Sequence, residues 1–397
     1  MRTKSLRLFV CLFITLLFLF TCTPNNDQSN FTFVAACDMR YFVMEEYRSS
    51  EWTLGGFEAI KKYGQGEFMI SPGDVEPPWA TRELIDQVFG KDYLWYPGVG
   101  NHDLEDEKYI EYLRNLNRNG NRLPNIVNLG PNGSQETTYS FDYGNAHFVN
   151  LNLYFDGKTD NGTDGDVVPE LLAWLEKDLA QNKKKFVFVY GHDAIVSMPD
   201  MDNGAVRHQG NSLDLYPENN LKFQKLLRKY DVTAYLCGHS HCTSFSKING
   251  LWQLDIGHLR GMMDDYTPQK LFEYLNLNWK KNDKEGMSFK ESIEKSYLSK
   301  MKPVNKALFA MQLAAVGEDS YKKIIQTEGI EGLLRFYQDY SKDKSHAEKL
   351  TKVFWENINW QRSSFFKITV GENDVNVEIY RDDGRGGKYS LRHSLYL

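Results

Sequence analysis

The chain of 397 residues is 41% hydrophobic and 25% charged, which allows one large core or two modest ones and gives no sign of disorder. Its formal net charge of -6 at pH 7 argues against a polyanionic nucleic acid as the main partner. We therefore expect a globular protein in which one main domain carries an insertion.

The N-terminal residues have the pattern of an export signal. Basic residues precede the apolar run Leu8–Phe20, which is too short to span a bilayer comfortably. The order Leu19-Phe20-Thr21-Cys22 resembles a bacterial lipobox, in which the cysteine becomes the lipidated new N-terminus. We predict that residues 1–21 are a signal peptide and that Cys22 anchors an exported protein to the cell envelope. A cleaved signal peptide without lipid, which would give a periplasmic protein, and a retained signal anchor are the alternatives.

Three cysteines remain once the leader is set aside, namely Cys37, Cys237 and Cys242. An odd number predicts at least one free thiol. Cys237 and Cys242 flank a Gly-His-Ser-His run, but the spacing of a four-ligand structural zinc site is missing. We expect small buried residues at strand ends.

Short β-branched or aromatic runs alternate with helical patterns along most of the chain, which predicts an α/β fold. The predicted strands are Phe31–Cys37, Glu67–Ser71, Leu94–Val99, Thr138–Tyr143, Ala146–Leu153, Phe186–Tyr190, Val232–Leu236 and Leu251–Ile256. The predicted helices are Trp52–Tyr63, Asp106–Leu116, Pro169–Gln181 and Asn219–Tyr230. Hairpins are predicted around Tyr143-Gly144-Asn145 and Asn249-Gly250.

The pattern changes after the last of these strands. Residues 263–360 contain long charged and aromatic helical stretches and are predicted to form a helical insertion or subdomain. Strands return at Phe365–Val370 and Val375–Tyr380, so we expect residues 361–397 to complete the main domain formed by residues 30–262. The aromatic residues of the insertion are expected to be core, with a lid over a site as the alternative.

Acids, amides and histidines fall just past the carboxyl ends of five predicted strands. They are Asp38, Asp74, Asn101 with His102, His192, and His239 with His241. In an open α/β sheet such ends face one crevice, so these scattered positions are expected to converge on one pocket. Carboxylate, amide oxygen and imidazole together suit zinc, iron or manganese better than calcium.

These motifs, in this order, resemble the calcineurin-like metallophosphoesterases over roughly residues 30–260. The matching segments are Asp38-Met39-Arg40, Gly73-Asp74, Gly100-Asn101-His102-Asp103, Gly191-His192 and Gly238-His239-Ser240-His241. The resemblance implies a sandwich of two β-sheets flanked by helices. It also implies two neighbouring metal ions, either zinc, manganese or iron, that are bridged by one carboxylate.

The resemblance implies a role for each residue at a matching position. Asp74 would bridge the metals; Asp38 and His241 would hold the first, and Asn101, His192 and His239 the second. Two cations can bind phosphoryl oxygens and lower the pKa of a bridging water. His102 would act as general acid or charge stabiliser, and Asp103 would orient its ring.

One position departs from the family's usual pattern, because Arg40 stands where a histidine ligand is expected. An arginine is always protonated and cannot ligate a metal. Its fork of donors suits a phosphate, so Arg40 is a candidate substrate-binding residue; a salt bridge with a nearby acid is the equal alternative. His258 and Arg260, after the strand Leu251–Ile256, could return to the rim of the site behind the ligands or as substrate groups; an ordinary turn is the alternative.

Other polar residues are expected to have ordinary structural roles. His147 lies in a hairpin strand, and His208 lies in a loop rich in glycine and asparagine. Asp193, beside His192, is expected to be a solvated loop acid, with a position behind the metal ligands as the alternative.

The expected function is metal-dependent hydrolysis of a phosphomonoester or phosphodiester outside the cytoplasm. The expected partners are a phosphate ester and, through the lipid anchor, a membrane. The alternative is a degenerate relative that acts as a ligand-binding lipoprotein because Arg40 has weakened the first metal site. A site of this kind that acts on another bond is a third reading.

Replacing Cys22 with alanine tests the lipobox. The variant should become a soluble exported protein, because the acceptor of the lipid is lost, whereas the wild-type protein should fractionate with membranes. Intact-mass measurement of the wild-type protein checks this directly, and a mature protein without acyl chains would exclude lipidation.

Overall fold

The computed structural model describes residues 30–40, 49–202, 206–259, 362–382 and 389–397. Within these ranges no helix is long and apolar enough to cross a membrane. The predicted signal peptide with Cys22, Arg260 and the predicted insertion at 263–360 lie outside the described residues.

The described chain consists of thirteen strands and five α-helices, whose bounds are as follows. The strands are β1 (Phe31–Ala35), β2 (Phe68–Ser71), β3 (Leu94–Pro97), β4 (Ile126–Leu129), β5 (Tyr139–Tyr143), β6 (Ala146–Asn150), β7 (Phe186–Tyr190), β8 (Ala234–Cys237), β9 (Ser244–Ile248), β10 (Leu251–Asp255), β11 (Ser364–Val370), β12 (Val375–Arg381) and β13 (Ser390–Tyr396). The helices are α1 (Ser49–Tyr63), α2 (Pro78–Phe89), α3 (Glu107–Asn115), α4 (Pro169–Gln181) and α5 (Pro217–Lys229).

The strands form two sheets. The first has the order β13-β12-β11-β1-β2-β3, and the second has the order β4-β5-β6-β7-β8-β10-β9. β1, β2 and β3 are parallel to one another, as are β6, β7 and β8. The C-terminal strand β11 pairs antiparallel with β1, so both ends of the described chain contribute to the first sheet.

Aromatic side chains fill the space between the two sheets. Phe33 and Phe68 project from the first sheet, and the ring of Phe148 from the second meets them edge-on, with centroids at 5.0 Å and 5.3 Å. Such rings bury large areas and prefer offset or edge-to-face contacts. This aromatic layer fixes the two sheets relative to each other.

Helices cover the outer faces of both sheets. Side chains of α1 and α2, such as Phe57 and Ile85, pack against Val34 and Met69 of the first sheet. Helices α4 and α5 pack against the second sheet in the same manner. The predicted fold class, a two-sheet sandwich flanked by helices, is therefore confirmed.

The sequence patterns missed three elements for identifiable reasons. Helix α2 begins at Pro78, directly after Pro77. Two consecutive prolines are typical of a loop, although proline is well tolerated in the first turn of a helix. Strand β4 is a four-residue strand at the edge of its sheet, and β13 is an edge strand with mostly exposed side chains. Neither has the apolar alternation that marks a half-buried strand.

A buried cluster of ion pairs connects Arg381, at the end of β12, to the loop that contains Asp200 and Asp202. Nη1 of the fully buried Arg381 lies 2.9 Å from Oδ1 of Asp200 and 3.0 Å from Oδ2 of Asp202. Oδ2 of Asp200 accepts the backbone N–H of Thr243 at 2.9 Å. Because Thr243 follows His241 by two residues, this cluster also supports the loop that carries the last two candidate ligands.

Arg381→Met should reduce the free energy of unfolding by about 3–5 kcal/mol, because the carboxylate of Asp200 would remain buried without its cation. Arg392→Met is the matched control, since Arg392 contacts the same Asp202 from an exposed position and should contribute about 1 kcal/mol or less. Urea denaturation of both variants checks this. Equal losses would show that burial of Arg381 is not what makes the cluster stabilising.

Candidate metal centre

The candidate ligands meet at the carboxyl ends of the parallel strands, as the sequence predicts. Asp38 follows β1, Asp74 follows β2, and His192 follows β7 on the opposite sheet. One ligand atom from each of these three buried residues lies within 4.8 Å of the other two. Residues from both sheets therefore converge on one point between the sheet edges.

The proposed ligands of the second metal surround the side-chain oxygen of Asn101. Oδ1 of Asn101 lies 3.2 Å from Nε2 of His192 and 3.1 Å from Nδ1 of His239. Oδ1 of Asp74 lies 3.4 Å from the same Nε2 of His192. One amide oxygen, one carboxylate oxygen and two imidazole nitrogens thus face one another, which is a suitable donor set for zinc, iron or manganese.

The proposed ligands of the first metal lie on the other side of Asp74. Oδ1 of Asp38 lies 3.1 Å from Nε2 of His241, and Oδ2 of Asp38 accepts the backbone N–H of His239 at 3.1 Å. Asp38 therefore contacts both histidines of the loop after β8. Arg40 points to other partners, so this side has fewer protein ligands than the second.

The backbone at these ligands is unusual. Asp38, Asp74, His239 and His241 all have positive φ, between 49° and 63°. Aspartate and histidine tolerate this left-handed region better than β-branched residues do, but at some conformational cost. Four candidate ligand positions share this conformation, so the surrounding structure must hold it in place. Clustered backbone strain of this kind is typical of a functional site.

Glycine is required where these loops approach one another. A Cβ atom at Gly100 would lie 2.2 Å from Oδ1 of Asp74, and one at Gly238 would lie 2.4 Å from Oδ2 of Asp38. Larger residues at either position would displace a carboxylate. This explains why glycine precedes the ligands in these motifs.

The charges and unsatisfied atoms of the site fit bound cations. Among the described residues, Oδ2 of Asp74 and Nδ1 of His192 are buried and form no hydrogen bond. Burial lowers the pKa of His192, but the neighbouring carboxylate of Asp74 outweighs burial and raises it to about 10. The buried carboxylates thus stabilise positive charge, which metal ions would supply.

The structure corrects the expected role of Asp103. Its buried carboxylate accepts three backbone N–H groups, from Asp74 at 2.8 Å, Val75 at 3.0 Å and Gly100 at 2.8 Å. It therefore fixes the loops after β2 and β3 and does not contact the ring of His102. The partner of that ring is Glu105, whose Oε1 lies 2.5 Å from Nδ1. The resemblance implied that Asp103 orients this ring, but the turn directs the side chain of Asp103 inward, towards the backbone of the two loops.

Arg40 lies at the edge of the site and forms the salt bridge that was one of its two expected roles. Its Nε pairs with the buried Glu76, and its Nη2 lies 3.6 Å from Oε2 of Glu105. Its Nη1 lies 3.2 Å from Nε2 of His102, so the guanidinium also reaches the proposed catalytic histidine. Substrate binding by Arg40 remains a prediction, although two carboxylates already share its charge.

Residues 207–211 contact two of the candidate ligands, His239 and His241, although no sequence motif marks these residues. The ring centroid of His208 lies 4.2 Å from that of His239, and Nε2 of His239 donates to the backbone oxygen of Asn211 at 2.9 Å. Arg207 contacts Nδ1 of His241. Burial and then the nearby His239 lower the pKa of His208 to about 3, so its ring is neutral. Only the folded loop could reveal these contacts, because no motif marks them.

Two further residues lie behind the candidate ligands. His258 is fully buried with its ring centroid 5.7 Å from that of His241, which favours a supporting position over direct contact with a substrate. Asp193 is buried rather than solvated; it accepts a hydrogen bond from Tyr154 at 2.9 Å and lies 3.7 Å from Nε2 of His239. Its expected position in an exposed loop is therefore wrong.

His147 and the three buried cysteines have structural contacts. His147 bridges Asp142 at 2.7 Å and Asp178 at 2.8 Å, which connects the β5–β6 hairpin to α4. Cys37, Cys237 and Cys242 are buried free thiols, as expected. Burial raises the pKa of the Cys37 thiol well above its usual value, so it is an unreactive neighbour of Asp38.

Comparison with known families agrees with this geometry. Residues 54–243, slightly less than half of the chain, match the family model described as calcineurin-like phosphoesterase. The resemblance predicted from the motifs is confirmed over this segment.

Individual relatives match more narrowly. The chain is 40% identical over 72 residues to tartrate-resistant acid phosphatase type 5 of Oryctolagus cuniculus and 40% identical over 70 residues to that of Mus musculus. Each match covers 18% of this chain and 18% of the relative. Among solved structures, PhoD is 11% identical with a TM-score of 0.46, covering 93% of this chain and 69% of PhoD. A putative 5'-nucleotidase from Staphylococcus aureus is 16% identical with a TM-score of 0.36, covering 58% of this chain and 49% of that chain.

Asp74→Asn should remove bound metal, because a neutral amide cannot bridge two dications as a carboxylate can. Asp231→Asn is the matched control, since Asp231 also has a positive φ but is exposed and lies before β8, whereas the candidate ligands His239 and His241 follow that strand. Elemental analysis of both purified proteins gives metal ions per chain. Two equivalents retained by Asp74→Asn would exclude Asp74 as the bridge.

Proposed function

We propose that this protein hydrolyses phosphoric esters, either phosphomonoesters or phosphodiesters, with two metal ions held between the sheets. The observation that supports this most directly is the cluster of Asn101, Asp74, His192 and His239, whose donor atoms face one another at 3.1–3.4 Å. The match of residues 54–243 to the calcineurin-like phosphoesterase model supports the same reaction class.

In this proposal Asp74 bridges the metals, with Asp38 and His241 on one side and Asn101, His192 and His239 on the other. Metal ions in such a pair polarise phosphoryl oxygens and lower the pKa of a water molecule between them. Zinc, manganese and iron all suit the mixed oxygen and nitrogen donors. The glycines at 100 and 238 let the carboxylates of Asp74 and Asp38 approach this position.

His102 is the proposed general acid or charge stabiliser. Its side chain is 25% exposed and its Nε2 lies 3.9 Å from Oδ2 of Asp74, so the ring reaches from solvent towards the metal ligands. It is thus accessible to a substrate while remaining next to the proposed bridge. Its backbone N–H donates to Oδ1 of Asp74 at 3.0 Å, which holds the residue beside that carboxylate.

The proposed location is outside the cytoplasm, on the membrane of a bacterial cell envelope. This part of the proposal is supported by the apolar run Leu8–Phe20 and the order Leu19-Phe20-Thr21-Cys22. A lipid anchor would hold the enzyme at the surface while the folded domain meets its phosphate ester.

His102→Ala should keep its metal and lose turnover by about 10²–10⁴-fold, the range of general acid–base catalysis. Hydrolysis of p-nitrophenyl phosphate and its bis ester, measured beside metal content, checks this. His393→Ala is the control, because His393 stacks on Phe245 in β9 and is not one of the candidate site residues.

Two other outcomes would be informative. If metal content fell in His102→Ala as much as turnover, His102 would be a ligand. If the wild-type protein bound metal but hydrolysed neither ester, the ligand-binding alternative would replace the enzymatic proposal.

A further inference from the structure

We infer that Glu105 is a positioning residue of the catalytic site, which orients His102 with one carboxylate oxygen and Arg40 with the other. This inference rests on the proposed phosphoesterase function, because it assigns a role to His102 in that reaction. The family resemblance implied this role for Asp103, but the carboxylate of Asp103 instead accepts hydrogen bonds from three backbone N–H groups.

The local fold explains why Glu105 reaches the ring. His102–Leu104 form a 3₁₀ turn, and the backbone N–H of Glu105 donates to the carbonyl oxygen of His102 at 3.2 Å. In a 3₁₀ turn the side chains of residues i and i+3 lie one above the other. Glu105 is therefore placed directly beside His102, whereas Asp103 points to the opposite side of the turn.

The contact defines which ring nitrogen carries a proton. An ionised carboxylate only accepts hydrogen bonds, so Nδ1 of His102 must donate to Oε1 of Glu105 at 2.5 Å. Nε2 lies 3.2 Å from Nη1 of Arg40. The contact with Glu105 therefore fixes a proton on Nδ1, on the side away from the metal ligands, and leaves Nε2 directed towards Asp74.

The second oxygen of Glu105 connects this ring to Arg40. Oε2 lies 3.6 Å from Nη2 of Arg40, which is also paired with the buried Glu76. Arg40, His102 and Glu105 thus form a closed triangle at the rim of the site. Fixing the orientation of two groups with one side chain limits the motion of both relative to Asp74.

This role is distinct from a contribution to stability. The side chain of Glu105 is 55% exposed, and ion pairs in such positions contribute little to folding. Removing it should therefore leave the melting temperature unchanged while disturbing the ring. If Glu105 contributed only to stability, removing it would lower the melting temperature and leave the orientation of the His102 ring unchanged.

The test compares Glu105→Ala and Glu105→Gln with Glu107→Ala, a matched loss of charge on α3. Glu107 is 68% exposed and pairs with Arg114, which keeps its other partner Asp160. With p-nitrophenyl phosphate or its bis ester, Glu105→Ala should lower kcat by about 10–100-fold, with KM and metal content unchanged. Glu105→Gln should retain more of kcat, because its amide oxygen can still accept from Nδ1. Glu107→Ala should match the wild-type protein.

A double-mutant cycle separates positioning from an independent effect. The loss of kcat caused by Glu105→Ala should be clearly smaller in the His102→Ala background than in the wild-type protein, because the contact with that ring is then already absent. Multiplied losses in the double variant, or an unchanged kcat in Glu105→Ala, would overturn the inference.

The ring nitrogens provide a readout that needs no activity. In protein with ¹⁵N-labelled histidine, the chemical shifts of His102 should report a single tautomer protonated at Nδ1, and Glu105→Ala should give a mixture. An unchanged tautomer in Glu105→Ala would contradict the inference even if turnover fell. Absence of turnover in the wild-type protein would instead count against the proposed function, while these shifts would still decide the contact of Glu105.

Discussion

The carboxylate of Asp103 is the contact on which the geometry of the metal centre depends. It accepts backbone N–H groups from the loops after β2 and β3, and so connects the turn of Asp74 to the turn of Asn101 and His102. Burial and then the carboxylate of Asp74 raise the pKa of Asp103 to about 7, while the backbone N–H groups of Gly100 and Val75 oppose this shift. Those donors are available only if both loops adopt their observed paths. One side chain that is not itself a ligand therefore fixes the spacing of three residues that face the site.

The same constraint explains the strained backbone. Asp74 adopts a positive φ because its turn must present both its N–H to Asp103 and its carboxylate to His192. Gly100 allows the two loops to approach, since any Cβ there would contact the Asp74 carboxylate. Conformational cost at these positions is balanced by hydrogen bonds in the surrounding loops, which is a common feature of functional sites.

The sequence predicted the positions of the candidate ligands well because each follows a strand with a clear apolar pattern. Asp38, Asp74 and His192 needed only the rule that parallel strands end at one edge. The rule does not describe which way a side chain leaves a turn, so it could not show that Glu105, and not Asp103, contacts the ring of His102. It also does not describe long loops: His208 reaches His239 only because the chain between β7 and α5 folds back over the site.

Arg40 changes the charge balance next to the ligands proposed for the first metal, Asp38 and His241. The resemblance places a histidine ligand at this position, and a histidine could not neutralise Glu76, which is buried beside Asp74 and Asp103. Burial and then those two carboxylates raise the pKa of Glu76, whereas the guanidinium of Arg40 opposes them. Arg40 and Glu76 therefore form a unit: exchanging the arginine alone for histidine would add a ligand but leave a buried acid without its cation. Arg40 thus places a fixed positive charge, paired with the carboxylate of Glu76, where the usual pattern supplies a metal ligand.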